Sequence, residues 1–214
     1  MSAPASEIVR LDLGSFHRPA SETATGAART DAVLAYLVRH PDALLLFDTG
    51  FGAIDPETEA HYRPTRRSLE NALRQEGVGL GDIGLIINCH LHFDHIGGNP
   101  ALAGTPIVTQ AIELAEARSA PYAGELIDFG GAVYRELDGD AEVLPGIRII
   151  ATPGHTAGHQ SLAVATVEGT VVLAGQAREQ AIEFASDPVA AILATGPVRV
   201  FFAHDLAVWE PQPA

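Results

Sequence analysis

Cys89-His90-Leu91-His92-Phe93-Asp94-His95-Ile96-Gly97-Gly98-Asn99 follows directly on an apolar run over residues 83–88. It packs three histidines and an aspartate into six positions, 90 to 95. On extended chain alternate side chains point the same way, so His90 and His92 can address one ion, while Asp94 and His95 belong to the turn beyond. A lone histidine is ordinarily a surface residue or a satisfied core group, but this many at a strand end are costly to bury unless they coordinate something. A metal centre is expected, with one loop serving two neighbouring ions. Imidazole nitrogen and carboxylate oxygen suit zinc at about 2.0 to 2.2 Å, and iron, manganese and cobalt stay open. His17, His40 and His61 lack such company and read as ordinary surface or core residues. Cys89 reads as core filler rather than nucleophile.

Outward from that loop, apolar segments at 8–13, 33–38 and 43–47 predict a strand followed by a hairpin, with His40-Pro41-Asp42 as its turn. Residues 65–76 place Leu69, Ala72 and Leu73 on one helical face and stop at Gly77. Residues 83–88 predict a buried strand, and a second helix is expected from a Thr109 cap through Ile112 and Ala115. In the second half, 147–151, 161–166 and 171–174 read as strands, with Glu168-Gly169 turning the latter pair. Asp187 caps a helix with Pro188 in its first position, and a last strand over 198–203 delivers His204. Two strand-rich halves, each closing with a helix, predict an α/β fold of the αββα sandwich type, as a single domain over 1–214. Residues 117–140 show no period and predict an irregular loop, in which Tyr122, Phe129 and Tyr134 would wall a pocket.

Hydrophobic residues at 47% and charged ones at 19% exclude a largely disordered chain. The formal net charge of −14 repels phosphate backbones and anionic lipid, so neither nucleic acid nor a membrane is the expected partner. A small-molecule substrate is. Residues 1–10 carry neither a basic nor an apolar leader pattern, and one cysteine cannot form an internal disulfide, so a cytoplasmic setting is expected.

The segment HLHFDH over 90–95 resembles the HxHxDH signature of the metallo-β-lactamase superfamily, and Thr152-Pro153-Gly154-His155-Thr156-Ala157-Gly158-His159 resembles its third histidine motif. Asp48-Thr49-Gly50 is similar to the early motif whose aspartate supports the site, and His204 to the late histidine. The resemblance implies a first metal position from His90, His92 and His155 and a second to which Asp94, His95 and His204 contribute, with one or two zinc ions. It makes His159 structural. The phrases Leu46-Phe47-Asp48-Thr49-Gly50 and 154–162 look most like N-acyl-homoserine lactonases. That implies a metallohydrolase of a small ester, lactone or amide, using a metal-activated water with Asp94 as base or proton shuttle.

The pattern breaks at Leu173-Ala174-Gly175-Gln176-Ala177-Arg178. The resemblance implies a bridging aspartate where Gln176 stands, and a neutral carbonyl oxygen compensates two dications less well than a carboxylate. One tight metal and a weakened second position are therefore expected. A substrate-polarising tyrosine is implied where Glu179 stands, which reads as an exposed glutamate at a helix start, or alternatively, if desolvated, as a proton donor. Arg178 and Asp205 read as solvated charges, with Asp205 alternatively bonding a ligand histidine. Two other readings compete: an enzyme using the ion only as a Lewis acid in a non-hydrolytic reaction, and a non-catalytic ligand-binding protein.

Overall fold

Leucine-rich and β-branched runs, buried on both faces over much of their length, build the first sheet. Strands β1 (Glu7–Arg18), β2 (Arg29–His40) and β3 (Ala43–Phe47) form an antiparallel meander whose turn at Pro41-Asp42 is the one expected. The structure is a computed structural model that describes residues 5–23, 25–119, 124–179 and 187–212. After α1 (Pro56–Tyr62), the short β4 (Thr65–Arg66) pairs with β1 at Gly14 and Ser15. Gly14, at φ 123°, lies so close to the Thr65 carbonyl that a Cβ there would overlap it. The helix anticipated from residue 65 therefore begins later, as α2 (Leu69–Gln75), because the Ser68 hydroxyl caps Asn71 N–H and the preceding residues are drawn into the sheet.

β5 (Ile83–Ile87), β6 (Pro106–Gln110) and β7 (Val133–Leu137) add parallel strands, giving the order β4-β1-β2-β3-β5-β6-β7. Thr109 is not a helix cap: it lies inside β6, and α3 (Ala111–Ser119) follows without a break. The stretch read as irregular also holds α4 (Gly124–Ile127) as well as β7.

The second sheet collects β8 (Ala141–Leu144), β9 (Ile147–Ala151), β10 (Gln160–Thr166), β11 (Gly169–Leu173), β12 (Arg199–Phe201) and β13 (Val208–Trp209), in the order β13-β12-β11-β10-β9-β8. The sheets meet over Tyr36, Phe47 and Ile87 from one and Ile149, Leu162 and Leu173 from the other. Leu69 and Leu73 of α2 cover the outer face of the first sheet, and Ile192 of α5 (Pro188–Leu193) covers that of the second. This is the expected αββα sandwich. No helix among the described residues is long and apolar enough to cross a membrane.

Asp187 accepts from Val189 N–H and Ala190 N–H at the head of α5, with Pro188 in the first helical position. Asp187→Ala is expected to cost about 1 kcal/mol, read as a lower denaturation midpoint in urea with an unchanged slope.

Candidate metal centre

The loops that leave the C-terminal ends of β3, β5, β9, β11 and β12 converge on one edge of the sandwich. They carry Asp48, the 89–95 segment, His155, Gln176 and His204 respectively. Backbone bonds splice the first two loops: Thr49 N–H donates to His95 O at 2.8 Å and Gly97 N–H to Gly50 O at 2.7 Å. Gly97 has no room for a side chain, because a Cβ would overlap the backbone of Phe51 and Gly52.

Two groups of donors result. His90, His92 and His155 each bring a ligand atom within 4.8 Å of the others, and so do Asp94, His95 and His204. The sequence-predicted residues are thus brought together in the two predicted sets. Neighbours fix which ring nitrogen His155 and His204 offer. His204 Nδ1 lies 2.7 Å from Ala32 O and His155 Nδ1 lies 2.9 Å from Glu179 O; a carbonyl only accepts, so these nitrogens carry the protons and Nε2 keeps its lone pair. His95 differs: Nδ1 donates to Asp48 Oδ2 at 2.9 Å and Nε2 to Gln176 Oε1 at 2.8 Å, so an ion taking Nε2 would have to displace that second proton. Among the described residues, His90 Nε2 and His204 Nε2 are buried and find no hydrogen-bond partner. Leaving buried polar atoms unsatisfied is unfavourable, and a cation taking those lone pairs removes the penalty, so the donor set fits a divalent metal.

Cys89, with His90 and His95, forms a third cluster of donor atoms. Its thiol contacts Asp48 Oδ2 at 3.1 Å, and burial, reinforced by Asp48, pushes its pKa far up, so it stays protonated. It packs in the inter-sheet core, as expected, but also touches His90 Nδ1 at 3.0 Å. Burial alone would raise the Asp94 carboxyl; the neighbouring His95 and His204 outweigh it and hold Asp94 well below the usual range. Asp94 is therefore anionic.

His159 is held away from both groups: Nδ1 sits 3.0 Å from Thr152 O, and Nε2 accepts Gln176 N–H at 3.0 Å. Gln176 turns its carbonyl oxygen to His95 Nε2 at 2.8 Å and its amide nitrogen to Glu179 Oε2 at 3.0 Å. Glu179 is accordingly no free surface charge; Arg18 and Arg29 also approach it, at 3.4 and 3.6 Å. Arg178 stacks over Phe202 and Trp209, 3.9 and 4.4 Å from their ring centres. Asp205 Oδ1 accepts Ala207 N–H in a local turn, which engages that oxygen away from the ligand histidines. His40 is a satisfied core residue between Pro145 O and Asp42 N–H, and exposed His61 pairs with Glu22.

One residue escaped sequence reasoning. Glu113, buried in α3, accepts Leu91 N–H at 2.8 Å with one oxygen and Thr156 Oγ1 at 2.6 Å and Gly158 N–H at 3.2 Å with the other. It clasps the two histidine loops together. A Cβ on Gly158 would overlap Glu113, a constraint that only the assembled loops reveal.

A cavity of about 210 Å³ opens over the donors, with Phe16, Tyr62 and Phe93 on its walls. The 117–140 segment was expected to supply that wall. Instead Phe129 and Tyr134 pack on the core, Tyr134 donating to Ile127 O, and Tyr122 lies outside the described residues.

The family comparison agrees with this geometry. Residues 28–211 match the Metallo-beta-lactamase superfamily. The chain belongs to that superfamily. A Bacillus N-acyl homoserine lactonase is 34% identical over 171 residues, covering 73% of this chain and 68% of the relative. One from Bacillus thuringiensis is 32% identical over 204 residues, 81% of each chain. Among solved structures, a quorum-quenching N-acyl homoserine lactone lactonase superposes with a TM-score of 0.79 at 26% identity, over 96% of this chain and 94% of that one. An N-acyl homoserine lactone hydrolase with N-hexanoyl-L-homoserine at its catalytic metal centre gives 0.77 at 26% identity, over 96% and 95%. The chain is a lactonase-like metallohydrolase of this superfamily.

Burial lowers the ring pKa of His92 to about 4, against the pull of Asp94, and that of His159 to about 3. A histidine with a folded value below its unfolded one, near 6.5, binds fewer protons when native, so its contribution is full above that pH and declines below it. Metal-stripped protein is expected to lose stability as pH falls from about 6.5 towards 4, by up to about 1.4 kcal/mol per pH unit for each such ring. Urea melts across that window check this; a flat midpoint would contradict it.

Proposed function

We propose that the chain hydrolyses a small lactone or ester, with His90, His92 and His155 holding one zinc ion tightly and Asp94, His95, His204 and Gln176 forming a weaker second position. The observation that carries this is the pair of convergent donor groups, in each of which a backbone carbonyl fixes the outward nitrogen of one histidine, His155 in the first and His204 in the second. A divalent ion bound there supplies Lewis acidity towards a carbonyl oxygen and acidifies water near pH 7. The chain's own residues do the rest. Anionic Asp94, beside His95 and His204 at 3.4 and 3.3 Å, takes the proton of the attacking water and returns it to the departing alkoxide. Phe16, Tyr62 and Phe93 exclude water from the acyl side and hold the substrate against the donors. The named lactonase relatives weigh for hydrolysis over a rearrangement. One domain over 1–214 and a cytoplasmic setting, with Cys89 free, belong to the same reading.

Zinc-loaded protein should open homoserine lactones carrying short acyl chains, and a chelator should abolish the activity. Stoichiometric metal with no lactone or aryl-ester hydrolysis above buffer would refute the proposal. Gln176→Asp should raise the number of tight ions from about one towards two, because it puts an anionic oxygen where the amide oxygen already faces His95. The gain is expected to be partial: aspartate is a methylene shorter, and it sets a second anion beside Glu179 in place of the amide that bonds it. Zinc titration of both proteins by calorimetry decides, and two equally tight sites in the wild type would overturn the weak second position.

A further inference from the structure

His90 differs from its companion His155 in what receives its ring proton. His155 Nδ1 faces a backbone carbonyl, whereas among the described residues the hydrogen-bond partner of His90 Nδ1 is a sulfur, Cys89 Sγ at 3.0 Å. Both Cys89 and His90 are fully buried. The sulfur is held in place: Asp48 Oδ1 accepts the Cys89 N–H at 2.8 Å, and Asp48 Oδ2 lies 3.1 Å from Sγ. Gly175, in the loop after β11 at φ 52°, closes in as well, since a Cβ there would come within 2.6 Å of Cys89 Cβ and 2.9 Å of Sγ.

The direction of each bond follows from what its atoms can do. A carboxylate oxygen only accepts, so the thiol hydrogen points to Asp48 Oδ2; a thiolate would put two anions 3.1 Å apart. Sγ also lies 3.3 Å from His95 Nδ1, but that proton goes to the nearer Asp48 oxygen at 2.9 Å. With its hydrogen committed, the sulfur offers His90 only lone pairs, so Nδ1 carries the ring proton. The opposite tautomer is worse at both ends. Its Nε2–H would be a buried donor with no acceptor among the described residues, and its Nδ1 lone pair would face those of the sulfur. Nε2 therefore keeps its lone pair for the ion shared with His92 and His155.

We propose that Cys89 is a positioning residue of the metal centre: its thiol relays a hydrogen bond from His90 Nδ1 to Asp48 and so fixes the tautomer in which His90 presents Nε2 to a divalent ion. The relay also ties the two donor groups together, because the same Asp48 oxygen accepts from His95. This rests on the first metal position proposed above, and the test separates the two.

Cys89→Ala and Cys89→Ser both remove the sulfur, but only serine keeps a group that can donate to Asp48 and accept from His90. Zinc affinity is read by competition with a chromogenic chelator. The ring tautomer is read from long-range proton–nitrogen NMR spectra of the metal-free proteins near neutral pH, the His90 signals being those missing from His90→Gln. Cys89→Ala is expected to weaken zinc about 10 to 100-fold, and Cys89→Ser by less than about tenfold. The His90 proton is expected on Nδ1 in the wild type and in Cys89→Ser, and partly on Nε2 in Cys89→Ala. Unchanged affinity in Cys89→Ala, or an equal loss in both variants, would reduce Cys89 to packing and overturn the inference. So would a His90 proton on Nε2 in the wild type, and that spectrum decides should Cys89→Ala fail to fold. If the wild type binds no zinc, the metal reading fails on its own, and the ring spectra decide the inference: Nδ1–H kept by serine and lost with alanine sustains it, and any other pattern overturns it.

Discussion

Replacing His155 with alanine is expected to strip most of the tightly held metal and to lower hydrolysis on the order of 10³-fold or more. Partners that merely orient a ligand histidine cost about 10 to 100-fold when removed, and loss of the ligand itself costs more. His155 is the one member of the first group supplied by the second sheet, through the loop between β9 and β10, so His90 and His92 cannot close the site between them. His61→Ala is the matched control. That ring is exposed and paired with Glu22, so its removal should leave metal content unchanged. Elemental analysis of the purified variants reads both outcomes, and stoichiometric metal in His155→Ala would show the first position to be wrongly assigned.

Glu113→Ala is expected to destabilise the protein by about 2 to 6 kcal/mol, a large share of a typical domain's 5 to 15. Three donors lose their acceptor at once: Leu91 N–H, Gly158 N–H and the Thr156 hydroxyl. An unsatisfied buried polar group costs about 1 to 3 kcal/mol, and Thr156 can turn to solvent. Burial holds the Glu113 carboxyl above the usual range although these bonds pull it down, so the anion is under electrostatic strain that only the full clasp relieves. Glu113→Gln keeps one carbonyl oxygen but turns an NH₂ towards donors, and should fall between wild type and alanine. Urea denaturation with and without zinc measures both, and a loss below about 1 kcal/mol in Glu113→Ala would mean that the loops hold together without the clasp.

The parts of this molecule that the sequence reveals are those where chemistry and periodicity coincide locally. Residues 90–95 announce themselves because ligands at a strand end are too many to bury idle, and the inter-sheet strands read correctly because their apolar runs are buried on both faces. What escaped depends on partners distant in the chain. β7 alternates weakly between exposed and half-buried residues, and α1 buries none, so neither has an apolar stripe to read. Glu113 looks like any helical glutamate until the loops of Leu91 and Gly158 close over it. The pocket wall was assigned to the Gly-rich 117–140 segment, whereas Phe16 and Tyr62 reach the cavity from β1 and α1. Glu179 read as solvated because its partners Arg18 and Arg29 lie more than a hundred residues upstream.

Both donor groups draw on both sheets: the 90–95 loop leaves the first, His155 and His204 leave the second. An ion seated in either group therefore rivets the halves of the sandwich to each other. Mass action turns that rivet into a stabilisation of about 2.7 kcal/mol when free metal stands at 100 times its dissociation constant. Differences of that size change how much of a chain survives proteolysis in a cell. Abundance should then follow metal supply as activity does, with a starved cell expected to hold less of the chain and not only a less active form.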